Sequence, residues 1–258
     1  MKKIKYIVYS FILVLLLWFL PSTRGLYKAS LIGAIFISTV AGALVTQWPV
    51  KLKDVFSTVL LPVHLAAGAV LSLYFFPNLG LLTRAIAVFG VGGLLYAVCL
   101  VTNIFMVVDE RERRIPLYRV AITWSQIIIV AIAILYFSGV YKLPINTFFQ
   151  NLFVGASSFL FVLYLFWALA FDNETAKIGK RDQLLFAFGA GFSLAALGVS
   201  VSFFPTESFL RALFVSSLLM SALGFLYSHA KNIITKSVVA EYFIISIAFL
   251  ILLFVFNP

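Results

Sequence analysis

The sequence has 258 residues, of which 63% are hydrophobic and only 11% are charged, with 19 Lys and Arg against 9 Asp and Glu. A soluble domain carries about a quarter charged residues, so this composition excludes an ordinary soluble protein and predicts an integral membrane protein. The net charge of +10 does not predict nucleic-acid binding, because the basic residues lie in short loops rather than on a solvated module.

Apolar runs of about 18 residues or more recur along the whole chain, and each is long enough to cross a bilayer. A span surrounded by lipid satisfies its backbone internally only as a helix, so the sequence predicts an all-α, polytopic transmembrane helical bundle. We expect a single integral-membrane domain over residues 1–258. The predicted spans are about nine, with eight as the alternative, over residues 5–21, 30–50, 55–76, 85–108, 120–140, 147–171, 184–204, 211–228 and 238–256.

The first span follows the basic segment MKKIK, as a signal peptide would. The segment FLPSTRG that ends this span offers no clear small-x-small cleavage site, so we expect an uncleaved anchor. One set of alternating segments collects 14 Lys and Arg, and the other set has 5. The positive-inside rule therefore predicts a cytoplasmic N-terminus.

Spans four and seven carry small residues at helical spacing. Gly92, Tyr96, Cys99 and Asn103 share one face of span four. Span seven has a stripe of small residues at Ala187, Gly191, Ala195, Gly198 and Ser202. Such stripes are typical of closely packed membrane helices, and a substrate groove against the backbone is the alternative.

Polar residues inside the predicted spans are the main candidates for function, because an unpaired polar group in hydrocarbon is expensive. Helix geometry predicts one polar layer near the cytoplasmic side, containing Asn103, Gln126 and Glu241, while His64 lies deeper. Hydroxyls of Thr102, Thr123, Ser125 and Ser237 could join this layer. The substrate-pathway candidates are Asn103, Gln126, Glu241 and His64, with Arg114 and Arg119 at the cytoplasmic rim.

Each pathway candidate also has a purely structural interpretation. Asn103 and Gln126 could form an interhelical hydrogen bond, and Glu241 could pair with a basic side chain at the membrane edge. His64 could remain neutral and bond to a main-chain carbonyl freed near Pro62. These interpretations stay open beside the pathway hypothesis.

Known catalytic patterns find little support in the sequence. The segment DERERR followed by FLYSH is similar to motifs of intramembrane CAAX-type proteases, but Asp109 replaces the first glutamate and His229 lies more than a hundred residues away. Two histidines and the lone Cys99 provide no metal-ligand cluster, and no Walker A motif is present. We therefore predict no metal and no cofactor, and the pattern favours a protein that is not an enzyme.

Two segments resemble a family of uncharacterised multi-pass bacterial membrane proteins. They are TNIFMVV followed by RRIPLYRVA, which contains Arg114 and Arg119, and SVVAEYFIISI near the C-terminus. In that family the first segment reads E-N-I-F, so Thr102 departs from an acidic position. The resemblance covers residues 85–256 and implies the same all-helical topology, without implying an activity.

The sequence therefore predicts a multi-pass protein of a bacterial inner membrane. The first hypothesis is a small-solute permease or channel-like carrier. A noncatalytic membrane scaffold or assembly partner is the alternative, and an intramembrane lipid-modifying enzyme is a second alternative. Under each of them the lipid bilayer is the partner, with anionic phospholipid at the basic cytoplasmic loops.

Overall fold

Nine α-helices account for most of the chain that the structure describes. The computed structural model describes residues 2–76, 79–111, 117–171 and 178–255, except for the side chains of Glu110 and Arg111. The helices are α1 (Lys2–Phe19), α2 (Gly25–Thr46), α3 (Val55–Phe75), α4 (Leu81–Arg111), α5 (Leu117–Val140), α6 (Thr147–Leu169), α7 (Lys180–Ser202), α8 (Ser208–Ala230) and α9 (Lys236–Val255). All nine are long and apolar enough to cross a membrane.

The predicted all-α, polytopic transmembrane fold is thereby confirmed. The cytoplasmic location of the N-terminus stays a prediction, as does the single domain. The helices separate into two compact units, Met1–Ala121 and Ile122–Pro258, which we call the N-terminal unit and the C-terminal unit.

Two helix ends differ from the predicted spans. Helix α2 ends at Thr46 rather than near residue 50, because Pro49 has no main-chain donor and disfavours helical geometry in the residue before it. Gln47 is therefore the first residue after the helix. Helix α4 continues through Arg111, so the start of the acidic and basic segment prolongs the helix instead of beginning a loop.

Helices α1 and α4 of the N-terminal unit run antiparallel. Lys2 Nζ donates to Asn103 Oδ1 at 3.3 Å at one end of the pair. At the other end the Arg84 guanidinium donates to the main-chain oxygen of Trp18 and lies 5.0 Å from the Trp18 ring centre. The predicted face of α4 that carries Asn103 therefore packs towards α1.

Helix α2 joins this pair through a buried tyrosine. The Tyr9 hydroxyl of α1 donates to the main-chain oxygen of Thr39 on α2 at 2.7 Å. The Tyr9 ring also covers Gly42, where no side chain would fit. Helix α3 packs against α2 and α4, so all four helices of this unit surround one interior.

Helices α6 and α7 pack closely in the C-terminal unit through the predicted small-residue stripe. A Cβ atom built on Gly191 of α7 would lie 2.7 Å from the main-chain oxygen of Gly155 on α6. A Cβ atom built on Gly155 would lie 2.8 Å from the Ala195 side chain. The packing interpretation of this stripe is confirmed, because α6 fills the space that a groove would need.

A hydrogen-bonded asparagine closes one end of the α6 and α7 pair. The Tyr141 hydroxyl donates to Asn151 Oδ1 at 2.9 Å. Asn151 Nδ2 donates to the main-chain oxygen of Thr147 at 2.9 Å and to Ser202 Oγ at 3.3 Å. The polar atoms of this buried side chain are thus satisfied within the unit, as structural polar residues usually are.

Large apolar side chains remain exposed along several helices. Examples are Phe188 and Phe192 on α7 and Phe243 and Ile244 on α9, each about two-thirds exposed. Exposed apolar surface on this scale is unusual for a soluble monomer but is the normal outer face of a membrane helix. We therefore expect lipid tails to cover these faces.

Candidate functional site

The two pathway candidates of the N-terminal unit have separate neighbours. Asn103 on α4 is half-buried and accepts the bond from Lys2 described above. His64 on α3 is half-buried, and its Nδ1 lies 2.9 Å from the main-chain oxygen of Leu60. Because a carbonyl oxygen only accepts, Nδ1 carries the proton of this bond. The helix backbone thus holds the His64 ring, as its structural interpretation expects.

The other candidates are placed as follows. Gln126 on α5 is half-buried, and Glu241 on α9 is exposed and accepts a bond from Ser237 Oγ at 3.4 Å. Arg119 on α5 is exposed, whereas Arg114 lies outside the described residues. The layer of Asn103, Gln126 and Glu241 would draw on both units, and it stays a prediction.

The structure instead brings polar residues together inside the N-terminal unit. A closely packed gap lies between α2, α3 and α4, and it is everywhere too narrow for a free water molecule. Its lining residues are Ala43, Thr46, Gln47, Thr58, Pro62, Val98, Cys99 and Thr102. We call this space the polar chamber.

Two threonines of the polar chamber donate hydrogen bonds to main-chain oxygens. Thr46 Oγ1 donates to the main-chain oxygen of Gly42 at 2.7 Å, and Thr58 Oγ1 donates to that of Asp54 at 2.8 Å. Each hydroxyl has given its proton to its own helix, so its lone pairs remain as acceptors. The hydroxyl protons of these two threonines are therefore satisfied by the main chain.

Gln47 and Thr102 add oxygens that lack any hydrogen bond among the described residues. Gln47 Nε2 donates to the main-chain oxygen of Cys99 at 2.9 Å, which fixes the amide, while Gln47 Oε1 has no partner. Thr102 Oγ1 has none either. The two side chains are only 4% and 2% exposed. A buried polar atom without a hydrogen-bond partner lowers the stability of the folded state by about 1–3 kcal/mol, so each of these oxygens destabilises the fold.

Tyr6 and Asp54 each contact a residue of the chamber, Tyr6 at the Gln47 side chain and Asp54 through its main-chain oxygen, which accepts the Thr58 hydroxyl. The buried Tyr6 hydroxyl lies near the Gln47 side chain without a hydrogen bond of standard geometry. Asp54 is 1% exposed and immediately precedes α3. A buried carboxylate in a membrane protein is itself a candidate functional group.

A pair of lysines holds the loop between α2 and α3 against the end of α4. Lys51 and Lys53 both form ion pairs with Asp109, the second with an Nζ to Oδ1 distance of 3.2 Å. Both lysine side chains are more than half exposed, while the Asp109 side chain is 16% exposed. The loop that contributes Gln47 and Asp54 is thus tied to the helix that contributes Thr102.

Replacing Asp109 with asparagine is expected to lower the free energy of unfolding by about 1 kcal/mol or less, because water screens ion pairs with exposed lysines. Unfolding in detergent at low and high salt measures the effect, which should shrink at high salt. In a Lys51→Met/Lys53→Met background the same change should have no effect. An equal loss in that background would show that the ion pairs do not hold the loop.

Sequence reasoning missed Gln47 and Asp54 as site residues. Gln47 lies inside the predicted second span, 30–50, and Asp54 directly precedes the predicted third span, 55–76. The useful signal was Pro49, which ends α2 early and releases Gln47 from the helix. Thr102 was named only as a possible hydroxyl of the layer around Asn103.

The described residues contain no group of three or more His, Cys, Asp or Glu that could hold a metal ion. Neutral oxygens from threonine and glutamine dominate the polar chamber instead. Such oxygens accept hydrogen bonds or coordinate weakly hydrated cations.

Comparison with known proteins gives one match. The model of a family described as "Protein of unknown function (DUF5656)" matches residues 28–256. No curated protein and no solved structure matches the chain. The expectation of a family without an assigned activity is confirmed, while the bacterial origin stays a prediction. Because the match extends from α2 to the end of α9, the chain belongs to the DUF5656 family of proteins of unknown function.

Proposed function

We propose that this protein is a carrier for a small polar solute in a bacterial inner membrane, and that the polar chamber binds what is carried. The observation that supports this proposal most strongly is the buried Thr102 hydroxyl, which has no hydrogen-bond partner among the described residues. An apolar side chain of the same shape would be more stable in this environment, so packing alone gives no reason to keep the hydroxyl. A binding role gives that reason.

The way into the chamber is proposed to run past the loop between α2 and α3. This loop meets α4 through ion pairs of Lys51 and Lys53 with Asp109, and such exposed pairs break and reform at low cost. The charged loop lies on the side predicted to be cytoplasmic. Asn103, Gln126, Glu241 and His64 remain proposed members of the wider pathway.

The same loop is proposed to contact anionic phospholipid. Trp48 is 70% exposed and Leu52 is 94% exposed, and Lys51 and Lys53 lie next to them. Tryptophan is enriched at the membrane interface, and a basic residue near an anionic surface contributes about 1 kcal/mol. The loop therefore has the apolar and the basic side chains that a headgroup region accommodates.

Transport by the purified protein in sealed vesicles tests the proposal. Vesicles with the protein and vesicles without it are exposed to a panel of small neutral and charged solutes, and entry is followed by light scattering as the vesicles swell. At least one solute should enter about tenfold faster with the protein, and Thr102→Val should remove most of that gain. Thr39→Val, at a buried threonine outside the chamber, is the matched control.

Equal entry with and without the protein across the panel would count against the carrier. It would favour the alternative in which this protein is a noncatalytic scaffold in the membrane. Faster entry that Thr102→Val and Thr39→Val reduce equally would keep a carrier but move its binding site away from the chamber.

A further inference from the structure

Helix α9 is the least enclosed helix of the described chain. Only 6% of its apolar stretch is buried, against 22–61% for the other eight helices. One face of α9 packs on α8, where the Tyr242 ring covers Gly224 and Ser246 Oγ lies 2.9 Å from Ser221 Oγ. The opposite face is exposed along its whole length.

The line of residues along the middle of this exposed face has the spacing of a helix that packs against a second helix. Its members recur at alternating intervals of three and four positions, and each is exposed. They are Ser237, Ala240, Ile244, Ile247, Ile251 and Phe254. Such intervals repeat every seven residues, which is the pattern of positions a and d in a left-handed pair of helices. We call these six residues the α9 seam.

Two charged residues flank the first turn of the α9 seam. Lys236 and Glu241 are exposed, and neither forms an ion pair with another described residue. At about 100° per residue, they lie on opposite sides of the seam, at the positions named g and e. Glu241 lies about 7.5 Å further along the helix than Lys236. A carboxylate that faces lipid alone is costly there, so a positively charged neighbour is expected.

A second copy of this chain fits the flanking charges. Copies in one membrane have the same orientation, because the same basic segments set it, so two adjacent α9 helices run parallel. In a parallel pair, the g position of one helix faces the e position of the other, five residues further on. Lys236 of each copy would therefore meet Glu241 of the other, and two-fold symmetry forms this contact twice.

The side chains between the charges permit this approach. Ser237 and Ala240 are small, and small residues let membrane helices come close together. The branched and aromatic side chains of Ile244, Ile247 and Phe254 then supply the apolar contact further along the helix. The seam thus combines close approach, apolar packing and paired charges.

We propose that this protein forms a two-fold-symmetric dimer in the membrane, in which the α9 seams of two copies pack in parallel and Lys236 of each copy pairs with Glu241 of the other. The inference goes beyond the carrier proposal and does not depend on it. It gives Glu241 a role in assembly, and it accounts for a carboxylate on the outer face of an apolar helix.

Copurification of two differently tagged full-length chains tests the dimer. The chains are expressed together, extracted in a mild detergent and purified on one tag, and the amount of the other tag is measured. The unchanged chains should copurify. Lys236→Glu in both chains, or Glu241→Lys in both, should reduce copurification about tenfold, because like charges then meet beside the seam.

Combining the two charge variants gives the sharpest comparison. When one chain carries Lys236→Glu and the other carries Glu241→Lys, both contacts again join opposite charges, so copurification should return to nearly the unchanged level. Ala240→Phe in both chains should prevent association, because a large side chain keeps the helices apart. Val239→Phe, at an exposed position outside the seam, is the matched control and should leave association intact.

Failure of the unchanged chains to copurify would overturn the dimer and leave α9 to lipid or to another protein. Copurification that both charge variants retain, or that the combined variants fail to restore, would overturn the pairing of Lys236 with Glu241. Equal effects of Ala240→Phe and Val239→Phe would overturn the seam as the contact surface. Restoration by the combined variants would also show that each variant folds and inserts.

Discussion

Replacing Gly191 with valine should lower the free energy of unfolding by about 3 kcal/mol. The new side chain would meet the Gly155 carbonyl oxygen and the Phe159 main chain of α6, at 2.7 Å and 3.3 Å from its Cβ atom. The main-chain atoms of α6 cannot move aside as a flexible side chain can. Helices α6 and α7 would therefore have to separate.

Gly189 offers a matched control two positions earlier on the same helix. A Cβ atom at Gly189 would meet nothing within 4 Å, so Gly189→Val should change stability by about 0.5 kcal/mol or less. Unfolding by increasing SDS in mixed micelles, followed by tryptophan fluorescence, measures both variants. If the two substitutions destabilise the protein equally, the α6 and α7 contact does not have the closeness described above.

Thr102→Val is expected to stabilise the protein while it impairs transport. The replacement keeps the shape of the side chain and removes a buried hydroxyl that has no hydrogen-bond partner among the described residues, so the free energy of unfolding should rise by about 1 kcal/mol. Transport should fall at least about tenfold, which corresponds to 1.4 kcal/mol of lost interaction. The opposite signs distinguish a functional hydroxyl from a packing residue.

Thr39→Val makes the same substitution at a threonine whose hydroxyl has a hydrogen-bond partner. Thr39 is fully buried, and its Oγ1 donates to the main-chain oxygen of Ile35 at 2.7 Å. Loss of this bond should lower the free energy of unfolding by about 1 kcal/mol and leave transport nearly unchanged. If Thr102→Val also destabilised the protein, the Thr102 hydroxyl would contribute to packing. The main evidence that the chamber has a binding role would then be lost.

The sequence was sufficient to predict the nine helices, because the length and apolar content of each span are local properties. It was also sufficient to predict that Gly191 and Gly198 face another helix, since their spacing puts them on one side of α7. The predicted ends were less accurate. Pro49 stops α2 within the predicted span, and α4 continues into charged residues because a helix does not have to end where its apolar run ends.

The polar chamber could not be predicted in the same way. Gln47 and Cys99 are 52 positions apart, and no local pattern indicates that they meet. The predicted face of α4 that carries Cys99 and Asn103 reaches the chamber only in part, because Cys99 lines it and Asn103 does not. Thr102, which differs in direction from Asn103 by about 100°, lines the chamber with Cys99. Which residues face one another across helices depends on tertiary packing that hydropathy does not encode.

Labelling of Cys99 tests the central claim of a chamber that opens to water most directly. Cys99 lines the chamber, is 3% exposed and is the only cysteine of the chain, so every label reports on this position. A small charged methanethiosulfonate reagent is added to native membrane vesicles. A carrier that opens predicts steady labelling of the folded protein, slowed by a transported solute. Labelling that occurs only after unfolding in SDS would contradict the account, because the chamber would then be a closed part of the core.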